Sequence, residues 1–297
     1  MKAYEIKPNG FCNGVKRAIK MINDILNDKG TIRPIYMFGY LVHNKAIINS
    51  YIEDHNIILI KDDYINNLNK INSGTVIFTA HGISPKIKQI AIDKNLHIVD
   101  TTCPNVAKIQ KLIKTKTDEN YNVLVIGNKN HPEVLSYLGI SKNVSLYNKE
   151  TDYSNISDLF IINQTTLIYE DVMKTFEIIK SQNKNSEIVE EICNATKVRQ
   201  KALKENINNF DCFIIVGDKL SNNCGSLYQI AINNNKNAYK IETVDELNNI
   251  DLSPFNTIGV TAGASTPPKI LYEVINQINE GKNIYKTQLN NSDYIDA

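Results

Sequence analysis

Cys103-Pro104-Asn105-Val106-Ala107-Lys108 opens a helical pattern in which Val106, Ile109, Leu112 and Ile113 form one apolar stripe. Reading outward in both directions, the same arrangement recurs at nearly equal distance. Cys12-Asn13-Gly14-Val15-Lys16 stands 91 residues before Cys103, and Cys193-Asn194-Ala195-Thr196-Lys197 stands 90 residues after it. Val15, Ala18, Ile19, Ile22, Ile25 and Leu26 continue the first as a helix, and Val198, Ala202, Leu203 and Ile207 continue the third. Each of these cysteines is therefore expected to open a helix.

Further landmarks keep the same period. An apolar strand pattern ends in a polar loop at Ile35 to Val42 before His43-Asn44, at Val123 to Ile126 before His131-Pro132-Glu133, and at Phe213 to Val216 before Ser221-Asn222-Asn223. These loops begin 31, 28 and 28 residues after their cysteines. A second strand pattern follows in each segment, at Val76 to Phe78, Leu159 to Ile162 and Ile258 to Val260. The loops after it carry Ala80-His81-Gly82, Gln164-Thr165-Thr166 and Ala262-Gly263-Ala264-Ser265. Residue identity between segments is low, but matched landmarks in all three predict a structural repeat. Strands alternating with helices imply parallel sheets, with ligands beyond the carboxyl ends of the strands. The expected fold is α/β: three similar units with parallel sheets, which, if arranged around a pseudo-threefold axis, bring the three cysteines and six polar loops to one central site. The unit boundaries are 13–100, 101–190 and 191–281 together with 1–12, with a C-terminal tail over 282–297.

Composition narrows the partners. Of 297 residues, 42% are hydrophobic and 22% charged, and the net charge of +1 with scattered lysines offers no footprint for nucleic acid. No apolar run approaches the roughly 18 residues of a membrane span, and the N-terminus shows no secretion signal. A cytoplasmic protein without a membrane or nucleic-acid partner is expected. The five cysteines, at 12, 103, 193, 212 and 224, are odd in number, widely spaced and without a C-x-x-C pair. That pattern disfavours both a disulfide framework and a zinc ribbon.

A thiolate at a helix N-terminus is favoured by the helix dipole, and thiolates are the ligands of iron-sulfur clusters. Three cysteines leave one iron open, where it can act as a Lewis acid on a substrate oxygen while the cluster supplies electrons. The bland alternative, three core cysteines, stays open at this point because free cysteine is a commonly buried residue. Cys212, inside Asp211-Cys212-Phe213-Ile214-Ile215-Val216, reads as core, and Cys224 has no equivalent in the other segments. His55 and His97 have no motif around them, whereas His43, His81 and His131 stand at strand-to-helix turns. Helix starts bind phosphate. Only Arg17, Arg33 and Arg199 are present, so a diphosphate would rest on His43, His81, Ser221, Asn223, Ser265 and backbone N–H groups. Pro132 at a first helical position places Glu133 in the first turn, where it can deliver protons or simply stabilise the helix start.

Taken together, Gly10-Phe11-Cys12-Asn13-Gly14-Val15, Val42-His43-Asn44, Ala80-His81-Gly82, Thr102-Cys103-Pro104, His131-Pro132-Glu133-Val134, Gln164-Thr165-Thr166 and Val260 to Ser265 resemble the 4-hydroxy-3-methylbut-2-enyl diphosphate reductases. The resemblance runs in order from about residue 10 to about residue 280. It implies a trefoil around a [4Fe-4S] cluster held by Cys12, Cys103 and Cys193. It also implies an oxidoreductase that removes the allylic hydroxyl of its substrate, giving isopentenyl and dimethylallyl diphosphate in the last step of the non-mevalonate isoprenoid pathway. In that likeness Glu133 supplies protons, Thr165 and His131 position the substrate hydroxyl and relay protons, and His43, His81, Ser221, Asn222, Asn223 and Ser265 hold the diphosphate. Ferredoxin or flavodoxin is the implied electron donor, and a monomer the implied state. Where the family usually shows Ser-Ser-Asn, this chain has Ser221-Asn222-Asn223, so the part of Asn222 rests on an amide in place of a hydroxyl. Two alternatives were weighed: quinolinate synthase, which resembles the same three-unit plan but acts on carboxylates, and a cluster-based sensor, which would need an output module.

Overall fold

The computed structural model describes residues 1–42, 45–234 and 236–280. His43 and the expected tail over 282–297 lie outside the described residues.

Four parallel strands make each of three sheets. The first holds β2 (Ile35–Phe38), β3 (Ile57–Ile60), β4 (Thr75–Phe78) and β5 (His97–Asp100) in the order β3-β2-β4-β5. The second holds β6 (Asn122–Ile126), β7 (Val144–Leu146), β8 (Leu159–Asn163) and β9 (Glu187–Ile188) in the order β7-β6-β8-β9. The third holds β10 (Cys212–Val216), β11 (Asn237–Ile241), β12 (Thr257–Ala262) and the N-terminal β1 (Lys2–Glu5) in the order β11-β10-β12-β1. Counted along the chain, every sheet runs second, first, third, fourth, and β1 fills the fourth place of the last one. The expectation of three similar α/β units with parallel sheets is met at the level of topology.

The helices are α1 (Asn13–Asn27), α2 (Lys45–His55), α3 (Tyr64–Lys70), α4 (Pro85–Asp93), α5 (Pro104–Asp118), α6 (Pro132–Leu138), α7 (Tyr169–Gln182), α8 (Asn194–Glu205), α9 (Asn222–Asn233) and α10 (Pro268–Glu280), with a 3-10 turn at Val244–Asn249. Each of the three cysteines stands one residue before its helix.

Why the central strands read as unbroken apolar runs follows from their burial. All residues of β4, β8 and β10 are buried, as a parallel strand covered on both faces requires. The outer strands β3, β5 and β1 are buried only in part. One Ile or Val fully buried in this way contributes about 1.5–3 kcal/mol.

The chain divides into two compact units. One comprises the described parts of 1–16, 43–50 and 194–297 and carries the third sheet. Its core sets Ile214, Val216 and Val260 against Ile270, Leu271, Val274 and Ile278 of α10. The other comprises 17–42 and 51–193 and carries the first two sheets. There Val106, Ile109 and Ile113 of α5 pack on Val123, Val125, Phe160 and Ile162 together with Val134 and Tyr137 of α6.

Two local expectations change. The strand expected over Ile35 to Val42 stops at Phe38, because Gly39 turns the chain at φ +85°, a conformation glycine adopts without steric cost. The third helix ends at Glu205, so Ile207 lies beyond it, and its buried face carries Thr196, Arg199 and Gln200 beside Ala202 and Leu203.

Candidate functional site

In the order second, first, third, fourth, the chain reverses direction between the first and third strands, and the crevice at their carboxyl ends is where such sheets bind ligands. All six polar loops singled out in the sequence follow those strands: β2 and β4, β6 and β8, β10 and β12. The fourth strand of each sheet, β5, β9 or β1, leads instead to the cysteine.

A backbone bond then repeats in all three sheets. The N–H of Cys103 donates to the carbonyl of Ala80, that of Cys193 to Thr165, and that of Cys12 to Ala264, each at 3.0 Å. Every acceptor lies two residues beyond the end of the third strand of its sheet. None of the three cysteines is in a disulfide and each is of intermediate exposure, whereas Cys212 and Cys224 are buried. Burial pushes the Cys212 thiol up to about 12 and raises that of Cys224, so both stay protonated and poor as ligands. Among the described residues no three His, Cys, Asp or Glu side chains are gathered as a metal-ligand set. Cys12 belongs to one compact unit, Cys103 and Cys193 to the other.

In the unit of the first two sheets, Glu133 is 2% exposed. Its Oε1 accepts from the backbone N–H of Thr165 and from the Tyr137 hydroxyl, both at 2.8 Å, and its Oε2 accepts from the Thr165 hydroxyl at 3.0 Å. Burial raises the carboxyl above its usual range, and these three donors oppose it without prevailing. Thr165 thus faces two ways, since its N–H holds Glu133 while its carbonyl holds Cys193. His131 caps α6 by accepting the Glu133 N–H on Nδ1 at 3.3 Å, which leaves Nε2 to carry the proton of the neutral ring. Its ring meets that of His81 edge-on, centroids 5.5 Å apart. Gly82 follows His81 at φ +80°, where a Cβ would lie 2.7 Å from Gln110 Nε2. Gln164, fully buried, accepts the Asn128 N–H and donates to Thr166 Oγ1.

In the unit of the third sheet, Ser221 caps α9 and accepts the Cys224 N–H. Asn223 is held at both ends of its amide: Nδ2 donates to Thr196 Oγ1 at 3.1 Å, and Oδ1 accepts the Ala264 N–H at 3.2 Å. One Nδ2 hydrogen is left for a ligand. Asn222 differs, for its Nδ2 is buried and has no hydrogen-bond partner among the described residues. Ser265, also buried, follows Ala264 directly. Arg199, buried in α8, donates to the carbonyls of Ala195 at 2.7 Å and Gly10 at 2.6 Å, fixing the loop that leads to Cys12. The sequence reading assigned nothing to Arg199, Thr196 or Tyr137. Only Tyr137 carries a trace of it in the sequence, its i+4 spacing from Glu133 on one helix face, and an aromatic at that spacing reads equally well as core.

A model of the LytB protein family matches residues 4–279. The 4-hydroxy-3-methylbut-2-enyl diphosphate reductase of Bacillus pumilus is 41% identical over 281 residues, 93% of this chain and 90% of that protein. The enzyme of the same name from Lysinibacillus sphaericus is 38% identical over 286 residues, 94% of this chain and 88% of that one. Among solved structures, the E-1-hydroxy-2-methyl-but-2-enyl-4-diphosphate reductase of Plasmodium falciparum aligns with a TM-score of 0.84 at 30% identity, covering 98% of this chain and 96% of that chain. A second, an (E)-4-hydroxy-3-methyl-but-2-enyl diphosphate reductase described as the terminal enzyme of the non-mevalonate pathway, aligns at 0.63 with 32% identity, covering 94% and 100%.

Proposed function

The chain belongs to the LytB family, oxidoreductases of the final step of the non-mevalonate pathway, and from that premise we propose that it reduces 4-hydroxy-3-methylbut-2-enyl diphosphate to isopentenyl and dimethylallyl diphosphate on a [4Fe-4S] cluster held by Cys12, Cys103 and Cys193. The observation that carries the reading is the double role of Thr165. One residue ties a buried carboxyl, through its N–H, and a candidate cluster cysteine, through its carbonyl, to the same short stretch of backbone. The donor set fits the cluster: three unbridged thiols, each before a helix and each anchored through the same backbone bond, against two buried thiols kept neutral. When bound, the cluster supplies single electrons and a Lewis-acidic iron for the substrate hydroxyl.

The chain's own residues account for the rest. The reaction consumes two electrons and two protons; the allylic hydroxyl leaves as water with one proton, and carbon takes the other. Glu133, raised by burial, keeps a proton to deliver. Thr165 and His131 orient the hydroxyl and pass protons. For the diphosphate, the start of α9 contributes Ser221, Asn223 and backbone N–H groups, and the orphaned Asn222 Nδ2 gains the acceptor it lacks. His43, His81 and Ser265 complete that set in this reading. Electrons come from a ferredoxin or flavodoxin. Among the described residues no helix is long and apolar enough to cross a membrane; cysteines without a disulfide are what a reducing compartment such as the cytoplasm keeps.

The test is anaerobic purification with iron and sulfide assay, followed by mixing the reduced protein with the substrate. About four irons per chain and five-carbon diphosphate products are expected. A loaded cluster that leaves the substrate untouched would overturn the assignment.

A further inference from the structure

Among the described residues, Tyr137 is the one buried titratable side chain bonded to Glu133 that the mechanism above does not use. It is fully buried, one helical turn beyond Glu133 on α6, and its hydroxyl donates to Glu133 Oε1 at 2.8 Å. The same oxygen takes the Thr165 N–H at 2.8 Å. A carboxyl oxygen has two in-plane acceptor positions, so Oε1 is filled by two donors. The backbone N–H cannot reverse its role. While the Tyr137 O–H donates, as it does here, an acidic proton sits on Oε2, where the partner is the Thr165 hydroxyl at 3.0 Å, a group that accepts as readily as it donates.

We propose that Tyr137 is a positioning residue for the reaction: by occupying Oε1 it commits the Glu133 proton to Oε2 and hence to the Thr165 hydroxyl. This rests on the reductase reading above. The transfer balances as a relay in which Oε2 gives its proton to Thr165 Oγ while Oγ gives its own to the departing substrate hydroxyl, which leaves as water. The carboxylate that remains is then held at Oε1 by the Tyr137 O–H and the Thr165 N–H, and at Oε2 by the Thr165 hydroxyl that donates back. Donors to an ionised acceptor bind about twice as strongly as donors to a neutral one, so Tyr137 favours the product side of the transfer. Around this carboxyl stand Tyr137 from α6 and Thr165 from the loop after β8, with His131 on the Glu133 N–H and His81 against the His131 ring.

Tyr137→Phe keeps the ring and its packing and removes only the hydroxyl. With the cluster loaded, kcat is expected to fall about tenfold while KM stays within about twofold. The solvent deuterium isotope effect on kcat should rise, and iron content should match the wild type. An active wild type alongside a variant with unchanged kcat and isotope effect would overturn the role. So would a loss of kcat in proportion to lost iron, which marks a structural part only. A wild type that forms no five-carbon product overturns the reductase reading itself, and this role with it.

Discussion

At Glu133 two forces oppose each other, and their balance is measurable apart from turnover. Burial disfavours the carboxylate, three hydrogen bonds favour it, and the net shift is upward. A folded-state value above the unfolded one means that the native protein binds the proton more tightly. Stability attached to this group is therefore fully present below the unfolded value, about 4.3, and is lost as pH rises through the raised folded value. Glu133→Gln carries no such loss. Its melting temperature relative to the wild type should climb as pH rises from the ordinary carboxyl range through the raised folded value, while turnover falls by about a hundredfold or more. A difference that shrinks with rising pH would show that the donors win. Cys212 offers the opposite contrast: its thiol, kept neutral in β10, touches no proposed chemistry, and Cys212→Ser should leave iron content unchanged. Of these residues, Glu133 was legible in the sequence because Pro132 fixes the helix start. Tyr137 was not, since an i+4 aromatic on an apolar face reads equally well as core.

Among the elements, the junction of β10, β12 and α9 shows how tightly the expected anion site is built. Cys224 Sγ sits so close to the backbone that a Cβ placed on Gly217 would lie 2.3 Å from it, and one on Gly263 2.1 Å. Gly263 is absent from the positive-φ residues, so an alanine there is opposed by the sulfur and not by the backbone. Gly263→Ala should destabilise by about 1–3 kcal/mol, and adding Cys224→Ala should recover most of it, as read by denaturant midpoints. Failure of the second change to rescue would mean that the loop, not the thiol, resists the methyl. The sequence showed Ser221 and Asn223 at a helix start but not this contact, because residues far apart in the chain meet only once the sheet forms. The third helix was misjudged in length for a related reason. Its inner face is partly polar, with Arg199 donating to the Gly10 and Ala195 carbonyls, so an apolar stripe was the wrong guide there.

Across the whole molecule, the threefold plan was legible from the cysteine spacing together with the strand and loop landmarks that keep the same period, since 91 and 90 residues leave room for one four-stranded unit each. Low identity between units hid the rest. What the units share is a backbone bond from cysteine N–H to loop carbonyl, which leaves no trace in side-chain identity. If three such thiols share one cluster, loading it stabilises the native state alone. The loaded protein should melt well above the apo form, and that gap should vanish in Cys12→Ser, Cys103→Ser and Cys193→Ser alike. A gap surviving in any one of them would remove that cysteine from the ligand set. The pairing of β1 with β12 reaches from Lys2–Thr257 to Glu5–Val260, the longest separation of any strand pair in the chain. Synthesis on the ribosome runs in one direction. Of the described strands β1 is made before all the others, and it waits for β12, the last of them; Cys12, hung from Ala264, waits with it. Of the three cysteines proposed as ligands, the one made first is the last to be set, and that interval is open to whatever delivers or withholds iron.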